Sequence, residues 1–105
     1  MACKRELIYT PNAEEDLREI MDYLVFEFGS ETLERFLLKV KDFNEIIVSQ
    51  PRVFAYFIKT KNIYKHSISK SFFLYQVTRK TVFVIAILDG RMNPKAIKKV
   101  ARKRL

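Results

Sequence analysis

The sequence predicts an α+β fold of order β-α-α-β-β-β, with an antiparallel sheet packed against an N-terminal helical hairpin and a basic C-terminal tail. Three observations predict it. Two long segments either side of Gly29 repeat apolar residues at helical spacing. From Ile63 to Leu88 the pattern changes to aromatic and β-branched runs. The last two of these runs are separated by Thr78-Arg79-Lys80 alone, room for a hairpin and nothing longer. A chain of 105 residues without internal repeat, low-complexity linker or break in composition reads as one domain over 1–105.

The first element is a short strand, Glu6-Leu7-Ile8-Tyr9, ended by Thr10-Pro11. Pro11 suits a first helical turn, where its missing N–H costs nothing. Thr10 can cap that helix, or Asn12 can, forming a capping box with Glu15. Ala13, Leu17, Ile20, Met21, Leu24 and Phe28 make its apolar face, and Glu14, Glu15 and Asp16 sit where the macrodipole favours acids. Gly29 is expected at the left-handed C-terminal position, and Ser30 as the cap of a second helix. That helix carries Leu33, Phe36, Leu37, Val40, Phe43 and Ile47, and stops near Ser49-Gln50 because Pro51 disfavours helical geometry before it. Residues 54–62 read as irregular. Strands follow over Ile63–Ser69, Phe72–Val77 and Thr81–Leu88, the last an uninterrupted apolar run closed by Asp89-Gly90. From Pro94, Ile97, Val100, Ala101 and Leu105 recur at helical spacing, so that 94–105 can form a short helix on the sheet or order only on a partner.

Charge divides the chain unequally. Residues 1–58 carry seven Lys/Arg against eleven Asp/Glu, a balance of −4, whereas residues 59–105 carry thirteen against Asp89 alone, a balance of +12. A surface polarised in this way suits a polyanion or an acidic partner on its basic side. No stretch approaches the length of a membrane span, so no membrane partner is expected. No apolar leader precedes the first strand, and the single cysteine, Cys3, forms no internal disulfide; both fit a cytoplasmic protein, with Cys3 a terminal thiol of no role.

Several chemistries are set aside. One histidine and one cysteine are too few for an ordinary zinc site, and two glycines cannot make a phosphate loop, so neither metal nor cofactor is expected. His66 reads as a surface or edge residue, and Asp16, Glu19 and Asp22 as solvated helix faces. The basic half offers more. Lys59, Lys61, Lys65, Lys70, Arg79, Lys80, Arg91 and Lys95 interleave with Tyr64, Phe72, Phe73 and Tyr75, a mixture that can hold phosphates while stacking bases. Against this, Phe73, Tyr75 and Phe83 alternate as core residues do. Arg91, held past the last strand between Gly90 and Pro94, is the foremost candidate. The target- or nucleic-acid-binding set is Lys61, Tyr64, Lys65, Arg79, Lys80, Arg91 and Lys95.

Three phrases resemble a known family. "YTPNAEEDLREIMDYL" (9–24) is similar to the opening sP-x-A-x-x-DL-x-x-I-x-x-Y of the RelE/ParE superfamily of bacterial toxins. "IIVSQPRV" (46–53) resembles the exit from its second helix, and "LYQVTRKTVFVIAILDGRMNP" (74–94) its closing hairpin. The resemblance implies the toxin of a type II toxin–antitoxin pair, held in a hetero-oligomer by a cognate antitoxin. ParE-like members poison DNA gyrase without cutting nucleic acid, while RelE-like members are metal-independent nucleases that cleave mRNA on the ribosome through lysines, arginines and a proton-transferring residue.

Carried over by position, Lys65 and Arg91 match catalytic residues of the nuclease, and are the catalytic pair if this chain cuts. Ser67 stands where the nuclease has a second lysine, Phe72 where it has an arginine, and Ile97 where it has a tyrosine. Those departures favour the ParE-like reading. The alternatives are the endoribonuclease, with Tyr64, Lys61 or Arg79 substituting in catalysis, and a non-toxic nucleic-acid-binding module.

Overall fold

The computed structural model describes residues 4–104, so Cys3 and Leu105, for which roles were considered above, lie outside it. Its elements are β1 (Glu6–Tyr9), α1 (Pro11–Phe28), α2 (Ser30–Ser49), β2 (Ala55–Ile58), β3 (Ile63–Ile68), β4 (Ser71–Val77), β5 (Thr81–Asp89) and α3 (Pro94–Lys103). The sheet has five strands in the order β1-β5-β4-β3-β2. The α+β order holds, with two differences in detail.

The first difference is β2, within the stretch expected to be irregular. It pairs antiparallel with β3, Tyr56 opposite Tyr64, and a 3₁₀ turn over Lys59–Lys61 joins the two. Four residues are too few to show a period of their own; the free edge of β3 recruits them. The second is that the sheet is mixed. β1 runs parallel to β5, Leu7 level with Val82 and Tyr9 with Val84, while the other pairs are antiparallel. Residues 10–80 carry the chain back across the sheet and let distant strands align in the same direction.

Thr10 caps α1, its Oγ1 accepting the Ala13 N–H at 3.2 Å, and Pro11 opens the helix. A single residue, Gly29, links α1 to α2 and caps both, so Ser30 is the first residue of α2 and not its cap. Gly29 has φ +89° and ψ 175°, outside the left-handed helical well and in a region that only glycine enters cheaply. Reversing the chain in one residue requires that conformation.

The sheet has two apolar faces. Phe36, Val40, Phe43 and Ile47 of α2 pack with Ala13 of α1 on Tyr64, Phe73, Tyr75, Val82 and Val84. The opposite face, formed by Ile58, Ile63, Leu74, Ile85 and Ala86, is covered by Ile97 and Ala101 of α3. A bulge lets Ile85 and Ala86 both face this side, because Leu74 pairs with Ala86 while Tyr75 pairs with Val84. The tail is therefore a docked helix, capped by Asn93, whose Oδ1 accepts the Lys95 N–H at 2.8 Å.

β1 stops level with Val84, leaving the outer edge of β5 open beyond it. Two side chains complete that edge. Asp16 Oδ2 accepts the Ile87 N–H at 3.0 Å, and Arg104 Nη1 donates to the Ile85 carbonyl at 3.0 Å and to Asp16 Oδ2 at 2.6 Å. Asp16 is thus not a solvated acid, as its place on an acidic helix implied; its side chain is 16% exposed and clasps α1, β5 and the end of α3 together. Among the described residues no helix is long and apolar enough to cross a membrane.

Candidate functional site

The end of β5 sets the site. Gly90 packs against the β3–β4 turn, donating its N–H to the Lys70 carbonyl at 2.7 Å. A Cβ on Gly90 would lie 2.8 Å from that oxygen, so only glycine allows the approach. Arg91 then folds back on Asp89. Its backbone N–H donates to Oδ1 at 2.8 Å, its Nε to Oδ1 at 3.3 Å and its Nη2 to Oδ2 at 3.0 Å. The Arg91 hydrogen bonds hold the Asp89 carboxyl below its usual range. The Arg91 side chain is nevertheless 86% exposed, oriented by Asp89 without being covered.

Arg91 stands at the rim of a groove of about 750 Å³ between the helical hairpin and the β5 end of the sheet. Ile20, Leu24, Phe36 and Ile87 give it an apolar floor, and Tyr23 and Phe28, edge to face at 6.1 Å, form a lip near the hairpin tip. Arg35 and Lys39 of α2, with Lys70 and Arg91, bring cations to its walls, against Glu19, Asp89 already paired with Arg91, and Asp16 paired with Arg104. Such a groove can take an amphipathic segment, apolar side down and acids toward the rim.

The remaining candidates are dispersed. Arg79 and Lys80 lie in the β4–β5 turn, separated from Arg91 by the length of β5, about 27 Å. Lys61 belongs with them, in the 3₁₀ turn where its carbonyl accepts Gln76 Nε2 at 3.1 Å. Lys65 is mid-strand on the α3 face, its Nζ 4.8 Å from the Phe72 ring centre and 5.4 Å from that of Phe57. Lys98 of α3 approaches the same Phe57 ring at 5.9 Å. Lys95 is exposed in the first turn of α3.

Tyr64 is a core residue, 1% exposed, stacked between Tyr56 at 4.4 Å and Tyr75 at 5.4 Å. Its hydroxyl accepts Arg52 Nη1 at 3.0 Å. Burial pushes the Tyr64 phenol up, whereas its hydrogen bond with Tyr64 draws the exposed Tyr56 phenol down. No base can stack on Tyr64 while Tyr56 and Tyr75 cover both faces. Tyr75 donates to the Pro51 carbonyl at 2.7 Å, and burial raises its phenol strongly. His66 is not at an edge: β3 lies inside the sheet, and the imidazole stacks on Phe54 at 3.7 Å and Phe43 at 5.7 Å. That burial lowers its pKa.

Sequence reasoning missed Arg35, Lys39 and Phe57. The first two had a signal, since Thr32, Arg35, Phe36 and Lys39 follow helical i, i+3, i+4, i+7 spacing and so share a face. Phe57 had none, because its strand was not recognised.

Comparison with known proteins follows the same lines. Residues 7–94 match the family model described as the ParE toxin of type II toxin-antitoxin system, parDE. Among solved structures, the fold is similar to a chain of the chromosomal ParDE TA system from P. aeruginosa, with a TM-score of 0.68 at 15% identity, over 82% of this chain and 96% of that one. Comparison with curated proteins found no match.

Proposed function

The chain belongs to the family of ParE toxins of type II toxin–antitoxin systems, and from that premise we propose that it stops growth by poisoning DNA gyrase and is neutralised by a cognate antitoxin. The family match over residues 7–94 carries this reading. The non-cutting mode is supported by the positions where the resembling nuclease keeps its charges. Ser67 is exposed, Phe72 packs beneath the Lys65 ammonium, and Ile97 is 2% exposed in the α3 core. Lys65 is level with Leu74 and, across β4, with Ala86, so Arg91 lies at least about 10 Å further along the sheet. The Lys65 Nζ lies over the Phe57 and Phe72 rings and the Arg91 guanidinium pairs with Asp89, so each cation is held by a partner of its own, which supports the non-cutting reading.

The groove beside Arg91 supports the antitoxin half of the reading. Its apolar floor and its cations, Arg35, Lys39, Lys70 and Arg91, suit an acidic amphipathic segment that folds on binding.

Purified protein added to gyrase in stoichiometric amounts is expected to inhibit supercoiling and accumulate cleaved DNA, and Arg91→Ala to weaken both effects. No effect at stoichiometric excess would remove the gyrase reading. Primer extension on translated mRNA separates the ribonuclease alternative: cuts within codons, lost in Lys65→Ala or Arg91→Ala, would establish it. Induction in cells should arrest growth, and co-expression of the adjacent small open reading frame should relieve the arrest.

A further inference from the structure

We propose that the solvent face of α3 docks on the phosphate backbone of duplex DNA, without reading sequence. The helix has ten residues and no acid. Its five cations, Lys95, Lys98, Lys99, Arg102 and Lys103, are all exposed. At about 100° per residue they fall within an arc of about 140°, opposite the buried Ile97 and Ala101. Among the described residues none of the five makes an ion pair; the pairs are Arg18–Glu15, Arg91–Asp89 and Arg104–Asp16.

That arrangement opposes helix formation. Lys95 sits at the positive end of the macrodipole, and Lys95–Lys99, Lys98–Arg102 and Lys99–Lys103 are like charges one turn apart. The helix forms because other groups hold it: the Asn93 cap, Pro94 in the first turn, the burial of Ile97 and Ala101, and the Arg104 clasp on Asp16. The cationic stripe is therefore rigid before any partner arrives. It continues onto the sheet, where Lys65 and Lys98 bring two ammonium groups over the single ring of Phe57.

The occupant follows from charge density and from what is already buried. Insertion into a membrane is excluded because the apolar side of α3 is spent on the sheet, leaving nothing to insert. From Lys95 to Lys103 the stripe runs about 12 Å. A DNA duplex offers one phosphate charge per about 1.7 Å of axis, enough along that length to meet all five cations. An acidic helix presents only one or two carboxylates per turn on its facing side. With only Lys and Arg on the stripe, contacts go to phosphates and carry no base information. This contact stands apart from the choice of gyrase as target.

The test is fluorescence anisotropy of an arbitrary 20-base-pair duplex with the free protein between 50 and 200 mM salt. Five phosphate contacts give a slope of log affinity against log salt near −4.5, a loss of about 500-fold across that range. Lys99→Gln with Lys103→Gln should reduce the slope to about −2.7 and the loss to about 40-fold. Arg18→Gln with Lys41→Gln, the same charge change on the helical hairpin beyond the sheet, should leave the slope unaltered. Circular dichroism should show both variants folded. Equal effects of the two pairs would overturn the proposal by reducing it to net charge. So would tighter binding of single-stranded RNA that depends on Lys65 alone, or displacement of the duplex by an acidic peptide at equal concentration.

Discussion

Replacing Arg104 by methionine keeps most of its volume and removes the clasp on β5. The substitution leaves the Asp16 carboxylate, 16% exposed, with the Ile87 N–H as its remaining partner, and takes the donor from the Ile85 carbonyl. Breaking a fully buried pair costs about 3–5 kcal/mol. The two side chains here are 21% and 16% exposed, so water recovers part of that and a cost of about 2 kcal/mol is expected. For a domain of this size that lowers Tm by roughly 10 °C. Asp16→Asn should cost less, since the amide oxygen can still accept the Ile87 N–H. Thermal unfolding of both single variants and the double variant closes a double-mutant cycle, with a coupling energy of about 1 kcal/mol or more. Hydrogen exchange of the α3 amides should accelerate in each variant. Additive losses, or a fall of under about 2 °C in Arg104→Met, would refute the clasp as a structural fastener.

Two further outcomes are expected. Gly29→Ala and Gly90→Ala should each cost about 1–3 kcal/mol, for separable reasons. A Cβ at Gly29 meets nothing within 4 Å, so its cost is backbone strain at φ +89°, whereas a Cβ at Gly90 meets the Lys70 carbonyl at 2.8 Å and pushes the Arg91 turn off the β3–β4 turn. Urea midpoints measure both, and only Gly90→Ala should also weaken antitoxin binding. His66, whose pKa is lowered by burial, should make stability fall as pH drops below its unfolded value of about 6.5, because only the unfolded chain then binds its proton freely. His66→Gln should remove the part of the decline that sets in as pH drops below about 6.5, leaving the loss below the ordinary carboxylate value of 3.8, where Asp89, held low by Arg91, protonates and releases it; an unchanged profile would show that the imidazole is not desolvated.

The elements legible in the sequence were those whose signals are local. Thr10-Pro11, Gly29 and Pro51 punctuate the hairpin, and the β-branched run of β5 announces itself. Strand β2 was not legible, because Ala55–Ile58 becomes a strand only through its pairing with β3. Nor was the direction of β1, since nothing in Glu6–Tyr9 encodes a parallel partner 75 residues away. Asp16 looked like one acid of an acidic helix, and its partner Arg104 lies 88 residues further on. Arg91 was legible as a rim residue because a strand end, a glycine and a proline fix it within six residues of chain. Tyr64 was misleading: its place between lysines suited a stacking surface, yet alternation turns its side chain inward, to the side opposite Lys65.

By itself the sequence determined the order of the helices and of every strand but β2, the segregation of acidic and basic halves, and the family, because each depends on residue identity and short-range spacing. The tertiary structure decided which cations act together. Arg35, Lys39, Lys70 and Arg91 meet around one groove although they span more than fifty residues of chain, while Arg79 and Arg91, twelve apart, end at opposite ends of β5. A strand carries its flanking residues apart and a folded sheet brings remote ones together, so proximity in sequence is a poor guide to proximity in charge.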